Sequence, residues 1–92
     1  MAKYALIWTD TFARTARGFL KKHPDLTGVL GDVLKQLEID PHVPRLKLHK
    51  LQGKHGDKYA VSLTYSYRII LLLQINRGQV VLLDIGSHDK VY

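Results

Sequence analysis

From Tyr67 to Ile75 the chain reads Tyr-Arg-Ile-Ile-Leu-Leu-Leu-Gln-Ile, and from Val80 to Ile85 it reads Val-Val-Leu-Leu-Asp-Ile. Between these runs lies Asn76-Arg77-Gly78-Gln79, a short polar stretch containing a glycine. Two aliphatic, β-branched runs around such a turn predict a β-hairpin. Both are apolar at nearly every position, not at alternate ones, which predicts central strands covered on both faces, or nearly so. Arg68 stands out as a fixed cation at the mouth of the first strand. Antiparallel pairing sets the start of one strand beside the end of the other, so Arg68 is expected near the segment Gly86–Tyr92.

The first half of the chain has a different period. Lys3 to Trp8 has strand composition. Thr9 and Asp10 then offer side-chain oxygens to the free N–H groups of a helix start. Phe12, Ala13, Ala16, Phe19 and Leu20 follow at the spacing of one helical face, with Arg14, Arg17, Lys21 and Lys22 on the other side. Pro24 ends this helix and Asp25 is expected to cap a second. There Leu26, Val29, Leu30, Val33, Leu34 and Leu37 repeat the helical spacing. Gly28 and Gly31 each cost that helix about 1 kcal/mol relative to Ala; close packing against the first helix is the expected reason for them. Pro41 and Pro44 close the unit.

Leu46 to Leu51 alternates apolar and basic, the pattern of an extended, half-exposed segment. Gln52 to Asp57 is a turn by composition. Lys58 to Tyr65 alternates again, a strand with one wet face, and Ser66 is expected to turn before the apolar strand. The outline is an α+β fold: an N-terminal strand, a helical hairpin, then a mostly antiparallel meander of three to four strands with the helices packed on the sheet. Residues 1–92 are expected to form one domain.

Composition narrows the chemistry. Fourteen Lys and Arg oppose eight Asp and Glu, a net charge of +6. That favours an anionic partner such as nucleic acid or an acidic protein, against the plain alternative of charge kept for solubility. Without cysteine there is no disulfide, thiolate chemistry or Cys-bearing zinc site. The N-terminal stretch turns polar too soon for a signal peptide, and Ile69–Leu73 is far below the roughly 20 residues of a membrane span. The expectation is a soluble, cytoplasmic protein with no membrane role.

The polar groups cluster in His49-Lys50, in Lys54-His55 and Lys58, in Tyr67-Arg68, and in Ser87-His88 with Tyr92. RNA is cleaved without a metal when its own 2′-oxygen attacks the neighbouring phosphorus. A base takes the 2′ proton, an acid protonates the leaving 5′-oxygen, and cations stabilise the added charge. Histidine suits the proton transfers and arginine the phosphorane. A tyrosine stacks on a base or holds the phosphate. Each group also has a plain structural alternative: Arg68 in an ion pair with Asp84 or Asp89, His88 in a turn, His49 as a strand spectator, Tyr92 as a fraying end. His23 beside Pro24 and His42 between prolines read as helix-end and loop residues.

The series Lys-Leu-x-Gly, a loop, Tyr67-Arg68-Ile69-Ile70, a hairpin, then Ile85-Gly86-Ser87-His88-Asp89-x-Val91-Tyr92 resembles the RelE/ParE toxin superfamily, most closely its RelE and YafQ branch. The resemblance covers nearly the whole chain, and its last third is the specific part. It implies a toxin of a type II toxin–antitoxin module that enters the ribosome and cuts mRNA there without a cofactor. A cognate antitoxin would mask the site. By resemblance Arg68 is the phosphate-stabilising arginine, His88 and His49 are proton-transfer candidates, and Tyr92 contacts the substrate nucleotide. Either histidine is a candidate for the base. Lys50, Lys54, His55 and Lys58 would hold backbone phosphates. Where the branch carries a further histidine and aspartate, this chain has Ser62 and Ser66. Those departures keep two alternatives open: a ParE-like gyrase inhibitor, and an RNA- or ribosome-binding module that no longer cuts.

Overall fold

The computed structural model describes residues 3–51 and 57–87. Seven elements follow one another: β1 (Ala5–Trp8), α1 (Asp10–Lys22), α2 (Thr27–Ile39), β2 (His49–Lys50), β3 (Lys58–Ser62), β4 (Tyr67–Gln74) and β5 (Gln79–Ser87). The strands form one five-stranded sheet in the order β1-β5-β4-β3-β2. Strands β2 to β5 are the expected antiparallel meander, and β1 joins it at the far edge, parallel to β5.

The two helices cover one face. Phe12, Ala16 and Phe19 of α1 and Leu30, Val33 and Leu37 of α2 pack against Val61, Ile69, Leu71, Val80, Leu82 and Ile85 of the sheet. Each fully buried aliphatic or aromatic side chain in such a core contributes roughly 1.5–3 kcal/mol. Among the described residues the opposite face carries only a small cluster of Leu51, Ala60 and Ile70, with Leu83 packed against it. Among these residues the hairpin is therefore fully covered on one side only. Its apolar far face near Leu72, Val81 and Leu83 is half-buried, short of the cover its composition predicts.

Thr9 is the joint between helix and sheet. Its hydroxyl accepts from the Phe12 N–H at 3.1 Å, capping α1, and donates to the Leu82 carbonyl at 2.7 Å. At the other end of β1, the N–H groups of Lys3 and Tyr4 both donate to the Glu38 carbonyl, at 2.8 and 2.9 Å. A carbonyl in the last turn of α2, which has no partner within the helix, is thus satisfied by the strand. Gly78, at φ 62°, closes the β4–β5 turn, a left-handed position that glycine adopts without a Cβ penalty.

Several local expectations change. Asp25 does not cap α2: Pro24–Leu26 form a single 3-10 turn, and Leu26 precedes the helix with no side-chain cap. Gly28 and Gly31 are not close-packing positions, since a Cβ at either meets no atom within 4 Å. The extended segment expected over Leu46–Leu51 shrinks to His49–Lys50, because Pro44–Leu46 coil into a 3-10 turn that ends at Lys47 with φ 52°. Strand β3 stops at Ser62 and the chain bends through Leu63–Ser66. Finally, the β4–β5 register slips between Ile70 and Leu71: Ile70 pairs with Asp84 but Leu71 pairs with Leu82, leaving Leu83 as the extra residue of a bulge.

Candidate functional site

Side chains alternate across a strand, so the packing of Tyr67 and Ile69 toward the helices sends Arg68 and Ile70 to the open face. The same alternation puts Ser62 there, between Val61 and Leu63 of the main core. Arg68 pairs with Ser62 on one side and with Gly86 on the other. The expected meeting of Arg68 with the start of the Gly86–Tyr92 segment is thus in the register. Both cross-strand neighbours are small and neutral, so the half-buried guanidinium stem stands on a low shelf at the end of the sheet. Asp84, opposite Ile70, lies diagonally across from Arg68; one of its carboxylate oxygens accepts from the Ile85 N–H at 2.8 Å.

His49 pairs with Ala60, whose packing with Leu51 and Ile70 fixes it on the open face. Cross-strand partners share a face, so His49 joins Arg68 there. Two strand spacings sideways and two residues along separate their Cα atoms by about 12 Å. The Nδ1 of His49 lies 2.9 Å from the Lys47 carbonyl. A carbonyl oxygen only accepts, so Nδ1 carries the hydrogen and Nε2 holds the lone pair of the neutral ring. The left-handed turn at Lys47 aims that carbonyl.

The remaining candidates separate. Lys58 alternates with Ala60 onto the open face, whereas Lys50, paired with Tyr59, belongs to the helix side. Lys50 also lies 4.0 Å from Asp57, an exposed and therefore weak pairing. Lys50 therefore lies on the opposite face of the sheet from Lys58. Lys54, His55, His88 and Tyr92 lie outside the described residues. Ser62 donates to the Thr64 carbonyl at 3.1 Å, and the Ser66 N–H donates to the Thr64 hydroxyl at 3.2 Å. A serine hydroxyl has no pKa near neutral pH and so does not stand in for a histidine or aspartate as a base at either position. Among the described residues no group of three or more His, Cys, Asp or Glu is placed to hold a metal ion.

One residue takes a larger part than its sequence context suggested. His23 is no bare helix end: its Nε2 lies 3.0 Å from the Tyr67 hydroxyl. Its ring packs against Phe19 and Tyr67 with centroids 4.9 and 5.0 Å away, and Phe19 meets Tyr67 edge-on at 4.9 Å. The signal was present, since His23 continues the buried stripe Phe12, Ala16, Phe19 by one more turn. Beside this aromatic triad a cleft of about 350 Å³ opens between α1 and the last rung of the hairpin, reached by Gly18, Lys22, Gly86 and Ser87.

No protein-family model matches the chain, and no curated protein matches it. Solved structures do. A copper-bound variant of a toxin from Helicobacter pylori superposes over the whole of both chains with a TM-score of 0.76 at 24% identity. A YoeB/ParE toxin from Agrobacterium tumefaciens matches over 90% of this chain and 96% of its own, with a TM-score of 0.74 at 13% identity. YafQ in the Escherichia coli DinJ–YafQ toxin–antitoxin complex matches over 98% of each chain, with a TM-score of 0.70 at 15% identity. The α+β fold is that of the RelE/YafQ-like toxins.

Proposed function

We propose that this chain is the toxin of a type II toxin–antitoxin pair and an endoribonuclease that cuts mRNA on the ribosome. The observation that carries the reading is the placement of Arg68 on the uncovered face of the sheet, between Ser62 and Gly86, with His49 on the same face. The toxin folds it shares, one of them seen with its antitoxin DinJ, support the toxin role and a cognate antitoxin as partner.

In this mechanism the substrate supplies its own nucleophile. The Nε2 lone pair of His49, presented by the anchored Nδ1–H, takes the proton from the 2′-hydroxyl. The 2′-oxygen attacks phosphorus and the bond to the 5′-oxygen breaks, leaving a 2′,3′-cyclic phosphate. Arg68 holds the equatorial oxygens, where its fork gains most as charge builds in the transition state. His88, immediately after Ser87 in sequence, returns a proton to the leaving 5′-oxygen, and Tyr92 steadies the nucleotide. Lys58, on the same face, and Lys54 and His55 add phosphate contacts along the strand.

Primer extension on mRNA after induction in cells tests this directly. The wild-type chain should leave discrete cut sites. Arg68→Ala should reduce cutting about 100-fold or more, and His88→Ala should also relieve growth arrest with the fold intact. Uncut transcripts with damaged DNA would replace the reading by gyrase inhibition. Ribosome binding with no cutting by the purified wild-type chain would leave a binding module only.

A further inference from the structure

Gly18 occupies the middle of α1, where glycine weakens a helix and where no neighbour requires it. Among the described residues, a Cβ built there meets no atom beyond its own stretch of helix within 4 Å. What lies in front of it is the cleft of about 350 Å³, a volume within the range of roughly 300–1,000 Å³ typical of small-molecule sites. Thr15, Gly18, Phe19 and Lys22 form the helix stripe that faces the cleft, and Tyr67, Gly86 and Ser87 face it from the sheet. One wall is therefore aromatic, the other is backbone without bulk, and a lysine stands at the rim.

We infer that this cleft receives an unstacked nucleobase of the RNA strand whose phosphate lies at Arg68. The inference rests on the reading above for the choice of RNA as the ligand. Three observations fit a base. Phe19, His23 and Tyr67 form a ring wall already braced by the hydrogen bond of 3.0 Å between His23 and Tyr67. Aromatic walls hold single-stranded bases by stacking.

The polar groups at the cleft suit a base edge. The Thr15 hydroxyl donates to the Phe12 carbonyl at 3.3 Å, which leaves its lone pairs for an amino group of a base. Lys22 supplies donors for carbonyl or ring-nitrogen acceptors. The position is also right. Tyr67 and Arg68 are consecutive and point to opposite faces of the terminal rung, and Gly86, the cross-strand partner of Arg68, borders the cleft. A strand bent over this end of the sheet puts a phosphate on one side and the adjoining base on the other.

The glycine makes the test clean. Gly18→Leu fills the cleft with a better helix former in open space. It should raise the melting temperature by about 5 °C or leave it unchanged, while closing the site. The probe is a short 2′-O-methyl RNA oligonucleotide, which has no free 2′-hydroxyl to attack with, titrated into the full chain and followed by amide NMR. Expected are shifts at Gly18, Lys22 and Ser87, absent with an abasic oligonucleotide of equal length. Gly18→Leu should weaken binding about tenfold, whereas Arg68→Ala should weaken it yet keep the cleft shifts.

Unaltered binding by Gly18→Leu, or equal cleft shifts from the abasic strand, would overturn the inference; so would occupation by an added peptide but not by the oligonucleotide. Discrete mRNA cutting by both the wild type and Gly18→Leu, at the same sites and rate, would sink the base pocket and leave the nuclease standing. Cleft shifts without any cutting of mRNA would do the reverse.

Discussion

Replacing Thr9 by alanine removes two hydrogen bonds that one hydroxyl makes in opposite directions. As an acceptor, at φ −81° and ψ 160°, it caps the Phe12 N–H at the start of α1; losing such a cap costs about 1 kcal/mol. As a donor it reaches the Leu82 carbonyl at 2.7 Å, a bond worth about 1 kcal/mol net. The Thr9 N–H also donates to that carbonyl at 3.3 Å, so the acceptor is not orphaned and no further desolvation penalty arises. The sum is about 2 kcal/mol. For a chain of this size that is a fall in melting temperature of roughly 10 °C.

A short series separates the two bonds. Thr9→Ser keeps both and should stay within about 0.5 kcal/mol of the wild type. Thr9→Asp keeps the cap, which a carboxylate performs well, but sets an acceptor against the Leu82 carbonyl and should recover at most half of the loss. Urea titration followed by far-ultraviolet circular dichroism gives each value, with the slope expected to be constant. Alanine and aspartate variants as stable as the wild type would refute the view that this hydroxyl seats α1 on β5.

Two further expectations concern loops. Lys47→Gly relieves a left-handed backbone at φ 52°, where a Cβ costs about 1 kcal/mol. It should raise stability by up to that amount while keeping the carbonyl that orients His49, read by denaturation and by the His49 ring-nitrogen shifts. Asp40 is held below the ordinary carboxylate range, chiefly by the His42 N–H donating to its Oδ1 at 2.9 Å. Its folded pKa lies below the unfolded one, so its contribution is complete at neutral pH and disappears as pH falls through the folded value. Melting temperatures of wild type and Asp40→Asn should therefore converge in acid and differ slightly at pH 7; a gap widening in acid would contradict this sign.

Local pattern carried much of the architecture. The two apolar runs and the glycine between them encode the hairpin, and strand alternation with antiparallel pairing then brings Arg68 opposite Gly86. The helices announce themselves by period, and α1 also by its ends at Thr9 and Pro24, whereas the start of α2 does not show. At Asp25 a proline-led 3-10 turn takes the place of a side-chain cap, and backbone angles of that kind leave no mark in polarity. Alternation over Leu46–Leu51 misled for the same reason: it counts side chains and is blind to the left-handed turn at Lys47. The parallel union of β1 with β5 joins residues more than 70 positions apart, and composition names a strand without naming its partner. The proton transfer proposed for His88 and the nucleotide contact proposed for Tyr92 are read from the sequence.

The bulge shows how a site is tuned by something the sequence half discloses. Val80 and Leu82 alternate into the helix-side core, and strict continuation would send Asp84 there and Ile85 out. Burying that carboxylate without a partner costs far more than one irregular rung. The chain inserts Leu83 as the extra residue, which seats against the small open-face cluster and returns Ile85 to the core. The spacing of three between Leu82 and Ile85, with an acid between them, is visible without coordinates. Its consequence reaches two residues further. The shifted phase sets Gly86 opposite Arg68 and Ser87 opposite Tyr67, at the border of the cleft beside α1. The same slip that keeps an acid out of the core also fixes what stands beside the arginine.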